Sequence, residues 1–247
     1  RAKPRPAGTA LFMPRTATAV PAPQIKFHYG NRVLEMPQDR ISYVGARANA
    51  EFSHLLKEIN KKELVQLTQD LIRIPSVRRQ GQGEQKIAFY LSLLLEGIGL
   101  DVVVEEVEPG SPNIIAVLHG ESEGPCLMFE CHTDVVTEGD ASEWKYGPFD
   151  GRLAGNRIYG RGACDTKGNL AAAVMAVQAI NQSGVPFRGK ILLGILVDEE
   201  GMMSGVKHFI RQGWANGVNA AIICEPVEAD PAGVAGDFRH GGIGHLH

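Results

Sequence analysis

The chemistry legible in this chain sits on His132 and Asp134, on Asp165, on Asp198-Glu199-Glu200 and on Glu225, each beside an apolar run or a glycine-rich loop. An imidazole with several carboxylates is the donor set of a hydrolytic zinc centre. A lone histidine after an apolar run reads as a core residue. Asp134 changes that reading, because its carboxylate can accept the second ring N–H of His132 and fix the tautomer. Asp165 lies among Gly160, Gly162 and Gly168, just before a helical run. It reads either as a turn or N-cap aspartate, or as a carboxylate presented by a bent backbone to bridge two ions. Glu199 and Glu200 end the apolar run Ile191 to Val197. Adjacent carboxylates at such a place need a cation or a shared proton, since like charges disfavour each other's ionisation. One can ligate while the other moves protons. Glu225 before Pro226 is either a plain strand-end acid or a further ligand.

These side chains need a scaffold that gathers them. Leu64, Leu67, Leu71 and Ile74 share one helical face over 63–74, which Pro75 ends. A second helix is predicted over 84–96, closed by Gly97 and Gly99. Strands are predicted at 102–107 and 113–118, separated by Pro109-Gly110-Ser111-Pro112, and at 127–131, 191–197 and 220–224. Helices are predicted at 168–181 and 205–212. The alternation gives an α/β fold, a mostly parallel twisted sheet flanked by helices. Ligands of such sheets sit beyond the carboxyl ends of the strands. His132, Glu199, Glu200 and Glu225 all follow strands and therefore fall on that edge.

Composition bounds the remaining possibilities. With 44% apolar and 21% charged residues the chain has an ordinary globular balance. A net charge of −3 gives no reason to expect nucleic acid or an anionic membrane as partner, and no apolar run approaches the ~20 residues of a membrane span. The four cysteines, Cys126, Cys131, Cys164 and Cys224, lack CxxC spacing and read as thiols of a reducing compartment, the cytoplasm. The first 34 residues contain no Asp or Glu and hold five prolines. Residues 1–55 are expected to be a loosely ordered extension, 56–228 an incomplete hydrolase catalytic domain, and 229–247 a tail. A dinucleotide fingerprint is excluded by the arrangement of glycines around Gly160.

Together and in order, His132-Thr133-Asp134-Val135-Val136, Trp144 with Pro148-Phe149, Gly160-Arg161-Gly162-Ala163-Cys164-Asp165-Thr166-Lys167-Gly168, Asp198-Glu199-Glu200-Gly201 and Cys224-Glu225-Pro226 resemble the M20 metallopeptidases and deacylases. The resemblance is especially to the acetylornithine deacetylase and succinyl-diaminopimelate desuccinylase branch. The resemblance covers Lys61 to Pro226. It implies a zinc-peptidase-like catalytic domain with two Zn2+ ions, Co2+ also being accepted. His132 and Glu225 would hold one ion, Asp165 would bridge, and Glu200 would hold the second. Asp134 would orient His132, and Glu199 would serve as general base and acid. The implied substrate is a small N-acyl amino acid or peptide, and the implied parent protein a homodimer. A dipeptidase or carboxypeptidase of the same family and an inactive metal-binding fragment are the competing readings.

The pattern also departs from the family. Members continue after the Cys-Glu-Pro strand into a lid or dimerisation domain, then return to supply a histidine to the second ion. Val227 to His247 is too short for either, so the chain reads as C-terminally truncated, with the lid absent. His240, His245 and His247 are the only histidines in that tail. The expectation is that one ion is held at His132, Asp165 and Glu225 better than the second, and that the chain alone is feebly active or inactive.

Overall fold

The structure, a computed structural model, describes residues 26–29, 32–35, 55–78 and 80–226. Most of the expected extension 1–55 and all of the expected tail 229–247 lie outside the described residues, as do the three tail histidines. Within residues 1–53, which form a unit of their own, β1 (Lys26–Tyr29) pairs antiparallel with β2 (Arg32–Glu35).

The larger unit opens with α1 (Leu55–Glu58) and α2 (Lys61–Ile72). The Asn60 side chain accepts hydrogen bonds from the amides of Lys62 and Glu63 at 3.0 and 3.4 Å, which satisfies two of the orphan donors at the start of α2. α2 buries Leu67, Leu71 and Ile72; α3 (Gly83–Gly97) buries Ile87, Leu91 and Leu95. Three strands follow: β3 (Asp101–Glu108), β4 (Ser111–His119) and β5 (Ser122–His132). A short hairpin, β6 (Arg152–Ala154) with β7 (Arg157–Tyr159), precedes α4 (Lys167–Ser183). β8 (Arg188–Leu196), α5 (Ser204–Arg211) and β9 (Val218–Ile223) complete the described elements.

β3 to β5, β8 and β9 form one sheet in the order β3-β4-β8-β5-β9. β5 runs parallel to both β8 and β9, whereas β4 runs antiparallel to β8 and β3. Four strands thus share a direction and β4 opposes them, so the sheet is mixed. The reason lies in the connections. β3–β4 and β4–β5 are short turns, which join antiparallel or edge-reversing strands, while the β5–β8 and β8–β9 crossovers carry helices.

Side chains alternate across the pleat. Ile191, Leu193 and Ile195 of β8 pack with Ile114, Ala116 and Cys131 under α2, α3 and α4. Leu192 and Leu196 face the opposite side with Ile115, Met128 and Phe209 of α5. β8 is buried on both faces, which explains its unbroken apolar sequence. Because β5, β8 and β9 are parallel, their carboxyl ends open on one edge. That edge carries His132, the turn after Leu196, and Cys224-Glu225.

Candidate metal centre

His132 is the last residue of β5 and is fully buried. Its Nδ1 lies 2.9 Å from the main-chain carbonyl oxygen of Asp134. A carbonyl only accepts, so Nδ1 carries a proton, and Nε2 is the ring nitrogen turned toward the acids. Nε2 faces Asp165 Oδ1 at 3.1 Å, Glu225 Oε1 at 3.5 Å and Glu199 Oε2 at 3.9 Å. His132, Asp165 and Glu225 each offer one ligand atom, all within 4.8 Å of one another. Glu225 Oε1 is buried and, among the described residues, has no hydrogen-bond partner. A lone pair and carboxylates converging on one point repel unless a proton or a cation sits between them. Burial alone would lower the His132 pKa, but Asp134, Asp165 and Glu225 together push it far above the ordinary imidazole value.

The sequence placed Asp134 against the ring through its carboxylate. The structure uses its carbonyl oxygen for that contact, with carboxylate Oδ1 standing 3.5 Å from Nδ1. The buried carboxylate binds the amides of Glu199 at 3.1 Å and Glu200 at 3.0 Å. Asp134 therefore fixes the tautomer of His132 and the course of the acidic turn together.

That turn has a second anchor. Asp198 is buried at a positive φ of 62°. It accepts hydrogen bonds from the Arg78 guanidinium and from the amides of Met202 and Ser204. Burial would raise its pKa, yet the bonds from Arg78 and Ser204 hold the carboxyl below the ordinary value. The third acid of the triplet is thus a structural post, and its two neighbours are left to face the site. Glu199 is pushed up to about 7, first by burial and then by Glu225 and Glu200, against the opposing pull of His132. Glu200 is also raised, first by burial and then by Asp165, and it stands outside the His132 trio.

Asp165 is presented by the bent loop the glycines suggested. Gly162 holds a φ of 83°, and a Cβ there would approach Val135 Cγ1 to 2.9 Å. Thr166, the N-cap of α4, and Asn169 both donate to the Cys224 carbonyl, Asn169 at 3.0 Å. Glu225 is thereby positioned from α4 as well as from β9.

Several contributors carried no decisive sequence signal. Arg78 and Ser76 sit in a stretch without a motif, and Ser76 donates to the Thr133 carbonyl at 2.6 Å. Lys167 stood within the glycine-rich motif, but its burial was not legible. Its Nζ donates to the Ile74 carbonyl at 2.7 Å, and burial lowers its pKa to about 7 against the pull of Asp134. Beside the trio, a cavity of about 170 Å3 is lined by apolar Leu196, Val197, Met203 and Val206, with Glu130, Glu199 and Glu225 at its wall. Burial first, and then Glu225, raise Glu130 to about 7. One further spacing, Gly120-Glu121-Ser122-Glu123-Gly124, has the Gly-x-Ser-x-Gly form. It lies at the β4–β5 turn, at the end of an 11-residue strand away from His132, and is no strand-to-helix nucleophile elbow.

Residues 128–236 match the profile of Peptidase family M20/M25/M40. Succinyl-diaminopimelate desuccinylase from Gluconacetobacter diazotrophicus is 46% identical over 138 residues, which are 55% of this chain and 34% of that protein. The chain spans about a third of the length of the curated relatives it matches. Human carnosine dipeptidase 1 superposes with a TM-score of 0.61 at 22% identity, over 70% of this chain and 40% of that one. Bacillus subtilis YXEP, a dinuclear metal binding peptidase of the M20 family, superposes with a TM-score of 0.52 at 20% identity, over 68% and 44%. At those identities the two structures establish the fold.

Proposed function

We propose that this chain carries the first-ion half of a metal-dependent amide hydrolase acting on an N-acyl amino acid or small peptide, of the deacylase type. The observation that carries the proposal is the convergence of His132 Nε2 with Asp165 Oδ1 and with the buried Oε1 of Glu225. That donor set fits a divalent cation such as Zn2+ or Co2+, with His132, Asp165 and Glu225 as its ligands. Glu200, with Asp165 shared between them, would hold a second ion. A bound ion of this kind polarises the scissile carbonyl and makes water nucleophilic at neutral pH.

The chain's own residues do the rest. The Glu199 carboxylate takes the proton of the attacking water and returns it to the departing nitrogen. Its environment, which raises its pKa to about 7, suits a group that must both accept and give back a proton. The Asp134 carboxylate keeps the Glu199 and Glu200 amides in place while its carbonyl holds Nδ1–H. The adjoining apolar cavity would take an uncharged part of the substrate. The 46% identity to a desuccinylase favours an acyl group on an amino acid over a dipeptide. The same proposal places the protein in the cytoplasm, where the four unpaired cysteines remain thiols.

The test combines metal analysis with hydrolysis of N-succinyl and N-acetyl amino acids. In a chain lengthened to the span of its relatives, Glu199→Gln is expected to keep the metal content of the wild type and to lower turnover at least a hundredfold. Unchanged turnover in that variant, or a wild type that takes up no zinc or cobalt, would overturn the proposal.

A further inference from the structure

Immediately before two of the proposed ligands stand two cysteines. Cys131 precedes His132 on β5, and Cys224 precedes Glu225 at the end of β9. The parallel register pairs Phe129 with Ile222 and Glu130 with Ile223, so the next residues along, Cys131 and Cys224, are neighbours across the strands. The Cys224 amide continues the ladder by donating to the Glu130 carbonyl at 2.9 Å. Both side chains join the core on the α4 face. The Cys224 thiol donates to the Ile222 carbonyl at 3.8 Å. Neighbouring strands lie about 4.8 Å apart, within the ~4.4–6.8 Å separation of Cα atoms that a disulfide bridges. Cys131 is fully buried and Cys224 is partly exposed. A small oxidant reaches the second and not the first.

We infer that Cys131 and Cys224 form a reversible redox pair, which a peroxide closes into a disulfide that disturbs the neighbouring ligands His132 and Glu225 and weakens ion binding. The Cys224 sulfur attacks one peroxide oxygen, breaking the O–O bond and giving a sulfenic acid and water. The Cys131 sulfur then attacks the sulfenyl sulfur, forming the S–S bond and releasing a second water. Two thiols lose two electrons and two protons, and one peroxide becomes two waters. The linkage stands on the strand register alone; its effect on an ion rests on the proposed function. Closing the bond must draw the Cys224 side chain toward β5, while Thr166 and Asn169 hold its carbonyl from α4. The Glu225 carboxylate, one residue on, takes up the resulting rotation.

The experiment uses the whole chain, reduced and then treated with hydrogen peroxide, with peptide mapping by mass spectrometry and zinc titration against a competing chelator. The expected map shows the Cys131 and Cys224 peptides joined with a loss of two hydrogens, while buried Cys126 stays a thiol. Zinc affinity should fall about tenfold, the scale of a disturbed outer-shell contact, and dithiothreitol should restore both. Cys224→Ser and Cys131→Ala should each abolish the linkage and keep zinc affinity under peroxide. Cys224 oxidised to sulfinic acid with Cys131 still a thiol would overturn the inference, as would linkage that leaves zinc affinity unchanged. A reduced chain that binds no zinc would instead refute the proposed function, and the peptide map would still decide whether the pair exists.

Discussion

Strands β8 and β9 each end in acids at the same edge, yet they are held by opposite means. β8 is central and buried on both faces, and its following turn is pinned by Arg78 through Asp198 and by Asp134 through the Glu199 and Glu200 amides. Among the described residues β9 is the outermost strand on its side of the sheet, with Ile222 and Ile223 46% and 57% exposed. Its acid, Glu225, is placed by lateral hydrogen bonds from Thr166 and Asn169 to the preceding carbonyl. One arm of the proposed site thus draws its precision from the core, the other from a handful of polar contacts. Stability should depend on the first arm and ion affinity on the second.

The largest break in that contrast should come from Leu193, buried in the middle of β8. Leu193→Ala should cost about 2–5 kcal/mol in urea unfolding, as a large-to-small change in a packed core does, whereas Ile222→Ala on the exposed edge should cost no more than about 0.5 kcal/mol. Equal costs would mean that β9 is packed as β8 is. Next comes the post of the acidic turn. Asp198→Ala leaves Arg78 unpaired and the Met202 and Ser204 amides without an acceptor, and should cost about 2–3 kcal/mol, the Arg78 side being partly solvated.

Lys167 supplies a pH signature. Its folded pKa, about 7, lies below the unfolded value of 10.5, so the unfolded chain binds the extra proton between those values. Stability from this group therefore rises with pH across about 7–10.5, by at most about 1.4 kcal/mol per pH unit. Lys167→Met should flatten that rise in unfolding measured at pH 7.5, 8.5 and 9.5. A variant with the slope of the wild type would show that the amine is solvated. A modest effect on stability belongs to the contacts that hold Glu225. Thr166→Val removes the hydroxyl that bonds the Cys224 carbonyl and should cost about 1 kcal/mol, while zinc affinity falls about tenfold. The reverse pattern, a large loss of stability with affinity intact, would erase the distinction between the two arms.

The sequence made the elements legible because apolar periodicity is a local property. The helix read at 168–181 is observed at Lys167–Ser183, and the strand read at 191–197 at Arg188–Leu196. The common edge of His132, Glu199, Glu200 and Glu225 followed from strand order alone. The opposed direction of β4 was less legible, since hairpin turns and crossovers differ in length more than in composition. The β6–β7 hairpin has only 3 residues per strand and left no periodic trace. Within the candidate site, residue types announced the converging acids and imidazole but not the division of labour. Asp134 serves the ring by its carbonyl because its carboxylate is taken by two amides 65 and 66 residues away. Arg78 reaches Asp198 across 120 residues, a pairing that no local pattern encodes.

The central claim is that His132, Asp165 and Glu225 form a cation site by themselves. Equilibrium dialysis of the chain against zinc, for the wild type, His132→Ala and Glu200→Gln, tests it most directly. The account predicts one tightly held zinc per chain, lost in His132→Ala and retained in Glu200→Gln. Tight binding that survives His132→Ala, or that vanishes with Glu200→Gln alone, would contradict it.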